Sequence, residues 1–207
     1  MTKSLEGIFP FFALVLLTLA MAGCATTADR KVTLLYEPTV HAVGEGGKLY
    51  LAREAEPPPA GSKQAVQWVI GSVKDTDGNK TGSIVVDTLP ADLVLQALSA
   101  ELMAAGYAVV QVSEVPSQAT KGLSLSNTAV SLDDVSSLVK DEAKGSIKAS
   151  VEVWRDGQKV ARLSYETVSS DVAVTGRERL LPDILGKTMQ NLMREAVPAV
   201  IKVLEQK

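Results

Sequence analysis

Residues 87–113, DTLPADLVLQALSAELMAAGYAVVQVS, constrain the fold more than any other stretch of the chain. Leu95, Leu98, Leu102 and Ala105 recur at three and four residues, so they share one helical face. Ala91 and Val94 widen that face. Pro90 suits an opening turn, where its missing N–H is harmless. Asp92 falls in the first turn, where the helix dipole favours a negative charge. Gly106 follows the last periodic residue and is expected to be left-handed, as helix-ending glycines are. Tyr107, Val109 and Val110 then bring strand-forming side chains. The stretch is therefore expected to be a helix that stops at a glycine and drops into a strand.

The remaining elements follow from alternation and turn chemistry. Val32–Tyr36 is expected to be a first strand and Lys48–Arg53 a second, joined by the glycine-rich loop Glu37–Gly47. Gly44-Glu45-Gly46-Gly47-Lys48 lacks the spacing of a phosphate-binding loop and is taken as a turn. Pro57, Pro58 and Pro59 form a stiff spacer. Val66–Lys74 and Lys80–Asp87 form a hairpin around Asp75–Asn79. That turn starts like a calcium loop, but its glycine comes too early and no glutamate closes it. Val115–Lys144 holds one weak strand through Leu123 and Leu125, with Asp133, Asp134, Asp141 and Glu142 on a solvated loop face.

Ile147–Trp154 and Val160–Thr167 form the clearest hairpin. Matching their apolar faces favours a three-residue loop, Arg155-Asp156-Gly157, with Val151 opposite Ala161 and Ala149 opposite Leu163. Lys148, Glu152, Arg162 and Glu166 then face water. A connector, Asp171–Arg177, leads to a second long helix, Leu180–Leu204, whose stripe includes Leu181, Leu185, Met189, Leu192, Ala196, Val200 and Val203. Pro182 belongs to its first turn, and Pro198 should kink or split it. Met189 and Met193 are expected in the core. The sum is an α+β fold: a two-layer sandwich of an antiparallel-rich sheet covered on one face by two long helices.

Composition narrows the chemistry. A net charge of −3 gives no reason to bind nucleic acid, and at 4% aromatic residues there is no stacking platform for single strands. Cys24 is the single cysteine and His41 the single histidine, so a zinc site of Cys and His is ruled out. No nucleophile–base constellation stands out, so no catalytic residue, cofactor or metal is expected and the chain is not read as an enzyme.

The N-terminus says more. Lys3 precedes an apolar run, Ile8–Ala22, which is shorter than the ~20 residues a spanning helix needs and fits a signal peptide. It closes with Leu19-Ala20-Met21-Ala22-Gly23-Cys24, which resembles the lipobox of bacterial lipoproteins. Met21 stands where leucine is usual. The resemblance implies lipidation at Cys24 and an organisation of 1–23 signal peptide, 24–30 lipidated tether and 31–207 single periplasmic domain. Ala25 follows the cysteine instead of the aspartate associated with inner-membrane retention. That implies an anchor in the inner leaflet of the outer membrane.

Val69-Ile70-Gly71-Ser72-Val73-Lys74, then Thr81-Gly82, then Leu93 to Gly106-Tyr107-Ala108-Val109, is similar to the YajG-type family of outer-membrane lipoproteins. The later hairpin and C-terminal helix agree in order. The family has no assigned catalytic residues, and the resemblance implies none here. The expected function is a non-enzymatic envelope lipoprotein that binds an envelope protein partner. The alternative is an auxiliary lipoprotein that holds a small apolar ligand or lipid, in a cavity lined by Met103, Met189 and Leu192.

Overall fold

The computed structural model describes residues 29–53 and 67–206. The apolar leader expected to be a signal peptide, Cys24 and the triple proline lie outside the described residues. The strands are β1 (Arg30–Lys31), β2 (Gly47–Arg53), β3 (Trp68–Lys74), β4 (Lys80–Val86), β5 (Tyr107–Val112), β6 (Lys121–Ser136), β7 (Asp141–Arg155) and β8 (Gln158–Ala173). Helix α1 spans Pro90–Ala104 and helix α2 Arg177–Glu205.

The long strand β6 organises the sheet. Along one edge it pairs antiparallel with β7, which pairs antiparallel with β8. Its other edge is shared. Gly122–Leu125 takes β2 in parallel, and β5 adds to β2. Leu132–Val135 takes β3 in parallel, and β4 and then β1 add beyond it. Between these halves lies a bulge at Ser126–Ala129, where Asn127 adopts a left-handed φ of 49°. Asn tolerates that conformation better than most residues.

Both helices cover one face and share a core with the sheet. Leu95, Leu98 and Leu102 of α1 join Leu185, Met189 and Leu192 of α2 over Leu123, Leu132, Ile147 and Val151. The fold is therefore α+β in two layers. The sheet is mixed, and α1, at 15 residues, is half as long as α2 at 29. Gly106 has φ 102° and ends α1 as its position in the sequence implies.

Several expectations are corrected. Residues 32–36 form no strand, because the paired register with β4 ends at Lys31 and the last bond to that edge is Val32 N to Val85 O at 2.9 Å. The loop that follows is held by a buried side chain instead: Glu101 of α1 accepts hydrogen bonds from Tyr36 Oη, Thr39 N and Val40 N. Burial and this carboxylate push the Tyr36 hydroxyl above its ordinary range. The weak strand expected in 115–144 is the 16-residue β6. Helix α2 starts at Arg177, which puts Pro182 beyond its first turn, and runs through Pro198 as one element.

The β7–β8 loop has two residues, Asp156 and Gly157, at φ 47° and 75°. That is the pair of positive φ angles a tight hairpin needs. A bulge between Val153 and Trp154 shifts the register by one, so Val151 faces Leu163 and Ala149 faces Tyr165. The faces stay matched by a route other than the three-residue loop.

Candidate functional site

Two polar assemblies stand out, one at the end of the sandwich and one on its open face. The first is built where β6 turns into β7 beside the start of α2. Asp134 is fully buried and Asp141 nearly so, and neither lies on the solvated face expected of them. The cause is a pair of arginines from distant parts of the chain. Arg30 Nη1 donates to Asp134 Oδ2 at 2.6 Å and lies 3.5 Å from Asp141 Oδ2. Arg177 Nη1 lies 3.5 Å from Asp141 Oδ1, and Ser136 Oγ donates to the same oxygen at 2.8 Å.

Arg177 also donates to the carbonyls of Ser137 at 2.9 Å and Leu138 at 3.1 Å. Burial raises the Asp134 carboxyl above its ordinary 3.8, Asp141 adds to the rise, and Arg30 opposes it. Asp134 Oδ1 has no hydrogen-bond partner. A hollow of about 480 Å³ adjoins this cluster, lined by Arg30, Asp141, Arg177 and Leu181 among others. Chemically the assembly is a clamp. It fixes the first described residues to the two elements that close the sandwich, and all its charged groups face one another.

The second assembly is a groove of about 700 Å³ on the face opposite the helices. Alternation along the strands puts it there: Leu123, Leu125, Val151 and Val153 point into the core, so Ser124, Ser126, Glu152 and Trp154 point outward. Arg162, on β8, completes the rim, and Arg53, at the end of β2, reaches the groove from the helix side. Arg53 Nε is bound to Asp92 Oδ1 at 2.7 Å, so that first-turn aspartate holds an arginine as well as meeting the helix dipole. Arg53 Nη1, Ser126 Oγ and Trp154 Nε1 are buried without a hydrogen-bond partner. Unpartnered buried polar atoms are uncommon in folded proteins. Here the three residues that carry them line one groove, beside the left-handed Asn127.

The residues singled out from sequence fare differently. Cys24 lies outside the described residues. Met103 is 54% exposed, while Met189 and Leu192 are sealed in the core, so the three do not line a common cavity. His41 is exposed on the loop before β2. Asp75 accepts hydrogen bonds from Asp77 N, Asn79 N and Asn79 Nδ2, and Asn79 holds its carboxyl below the usual range. Its oxygens serve the turn itself. Among the described residues no group of three or more His, Cys, Asp or Glu is placed to hold a metal ion. Also among them, no helix is long and apolar enough to cross a membrane. Sequence reasoning missed the groove. Its one available signal was Trp154, a large side chain on the outward phase of a strand.

No protein-family model matches the chain, and no curated protein matches it significantly. The chain is similar to a Xanthomonas campestris protein of the DUF330 family, at 12% identity over 85% of this chain and 96% of that one, with a TM-score of 0.49. It is also similar to a Helicobacter pylori protein described as a homolog of a neuraminyllactose-binding hemagglutinin, at 11% identity over 84% and 97%, TM-score 0.44. A third is rare lipoprotein B from Shewanella oneidensis, at 11% identity over 64% and 96%, TM-score 0.33. Likenesses this distant carry no argument about ligand or partner. The YajG-type resemblance rests on the order of elements.

Proposed function

We propose that the protein is a non-enzymatic lipoprotein of the cell envelope, anchored by acyl chains on Cys24, whose open sheet face binds another envelope protein. The observation that carries the anchor is the Ala22-Gly23-Cys24 ending of a short apolar leader, at the single cysteine in the chain. The clamp supports it. Arg30, six positions after that cysteine, is tied to Asp134 and Asp141, so the domain begins almost at the anchor. Ala25 favours the outer membrane, with the domain in the periplasm.

The groove around Trp154 supports the partner. Its polar rim of Ser124, Glu152 and Arg162 around an outward aromatic ring suits a polar peptide surface better than an acyl chain. Labelled palmitate should enter the wild type and not Cys24→Ser. A photo-crosslinking residue at Arg162 should yield one stoichiometric protein adduct in cells, reduced by Trp154→Ala and not formed from Gln158. Turnover that depends on a single side chain, or co-purified lipid with no protein adduct, would overturn the reading.

A further inference from the structure

The turn between β6 and β7 presents an anomaly. Ser137–Lys140 is a tight turn organised by Ser137, whose Oγ accepts from Val139 N and Lys140 N and donates to Lys140 O. Its two central residues are Leu138 and Val139, where turns ordinarily carry Gly, Asn, Asp or Pro. Leu138 is fully exposed and Val139 is 70% exposed, so neither supports the fold. Arg177 fastens this turn to the β8–α2 loop by donating to Ser137 O, Leu138 O and Val174 O. Val174 is itself exposed. Three apolar side chains are therefore displayed on a rigid tip.

The strand directions say where this tip points. β1 is parallel to β4, β4 antiparallel to β3, and β3 parallel to β6. The N-terminal end of β1 and the C-terminal end of β6 thus face the same way. Arg30 confirms it by reaching Ser136, the last residue of β6. The register puts Arg30 level with Leu132, so β1 starts from the tip end of the sheet, and Cys24 is six positions upstream, at most ~20 Å when extended. We infer that Leu138, Val139 and Val174 form a membrane-docking tip that enters the boundary between headgroups and acyl chains. The inference rests on lipidation at Cys24. The lysine nearest the turn, Lys140, is paired with Glu142, so the tip itself docks through its apolar side chains.

The test uses the full lipidated protein in vesicles of phosphatidylethanolamine and phosphatidylglycerol, and again in pure phosphatidylcholine. Acylation blocks Cys24, so nitroxides can be placed singly at Leu138→Cys, Val139→Cys or Gln158→Cys. Gln158 lies at the other end of the 15-residue β7, about 45 Å away. Labels at 138 and 139 should lose accessibility to an aqueous nickel chelate and gain it to oxygen in both vesicles, while 158 stays aqueous. Leu138→Asp with Val139→Asp should abolish the effect at a Val174→Cys label without moving the urea midpoint. Aqueous labels on palmitoylated protein would overturn the tip and leave the anchor standing. Immobilised but nickel-accessible labels would mean a protein covers the turn, which also overturns it. A Cys24 thiol that itself takes the label would overturn anchor and tip together.

Discussion

Replacing Arg30 with alanine tests the clamp directly. Asp134 would keep its buried position and lose the guanidinium 2.6 Å away, with Oδ1 already unpartnered. Removing one member of a buried ion pair costs about 3–5 kcal/mol. The Arg30 side chain is 36% exposed, so water shares the contact, and we expect about 2–3 kcal/mol at pH 7. For a domain of this size that is a fall in Tm of about 5–10 °C.

The pH dependence has a definite sign. Asp134 has a folded pKa raised above 3.8, so its contribution is fully present below that value and is lost as pH rises through the folded one. Arg30 opposes the rise, so its removal widens the loss toward higher pH. The deficit of Arg30→Ala should be largest at pH 7 and shrink on acidification toward pH 4. Urea unfolding of a soluble form beginning at Ala25, followed across that range, reads it out. Arg30→Met combined with Asp134→Leu should recover most of the loss. A deficit below ~0.5 kcal/mol, one that ignores pH, or no recovery in the double variant would refute the argument.

Gly71→Ala should be severely destabilising, at about 3 kcal/mol or more. A Cβ there would lie 1.6 Å from the Leu132 carbonyl oxygen and force β3 off β6, which calorimetry would register. Gly106→Val should also lose folded protein, through the positive φ alone, because open space surrounds that position. If the variant melts with the parent, α1 does not end there. Glu205 accepts from Tyr107 Oη and Glu45 N, and Tyr107 is the main cause of its lowered pKa. Its contribution is present above the ordinary 4.5 and lost as pH falls through the folded value, so Glu205→Gln should flatten the acid limb of the stability profile.

What the sequence reveals depends on how local the cause is. Helix α1, its glycine stop and the β3–β4 hairpin are written in neighbouring residues, and they can be read directly. β6 is harder, because Ser124, Ser126, Asn127, Ser131 and Asp133 face outward and dilute its apolar phase. The β7–β8 register depends on a bulge that no residue type announces. The clamp was invisible for a different reason. Asp134 and Arg30 stand 104 residues apart, and nothing near either one distinguishes a buried carboxylate from a solvated one. Glu101 likewise has no neighbour in sequence that marks it as the group that gathers the loop at 36–40.

The shared edge of β6 also sets an order of assembly. β7, β8 and α2 follow β6 in sequence and are joined by short turns, so their contacts close small loops. β2 and β3 lie upstream and can pair with β6 in parallel only once β6 exists. The C-terminal half is therefore expected to form first and the N-terminal strands to dock last. Pulsed hydrogen exchange would show this as earlier protection of β7 and β8 amides than of β1 and β2, and the reverse order would contradict it. A chain that enters its compartment N-terminus first then cannot fold around its own beginning. Its upstream strands β2 and β3 wait to join the sheet until β6 has been delivered.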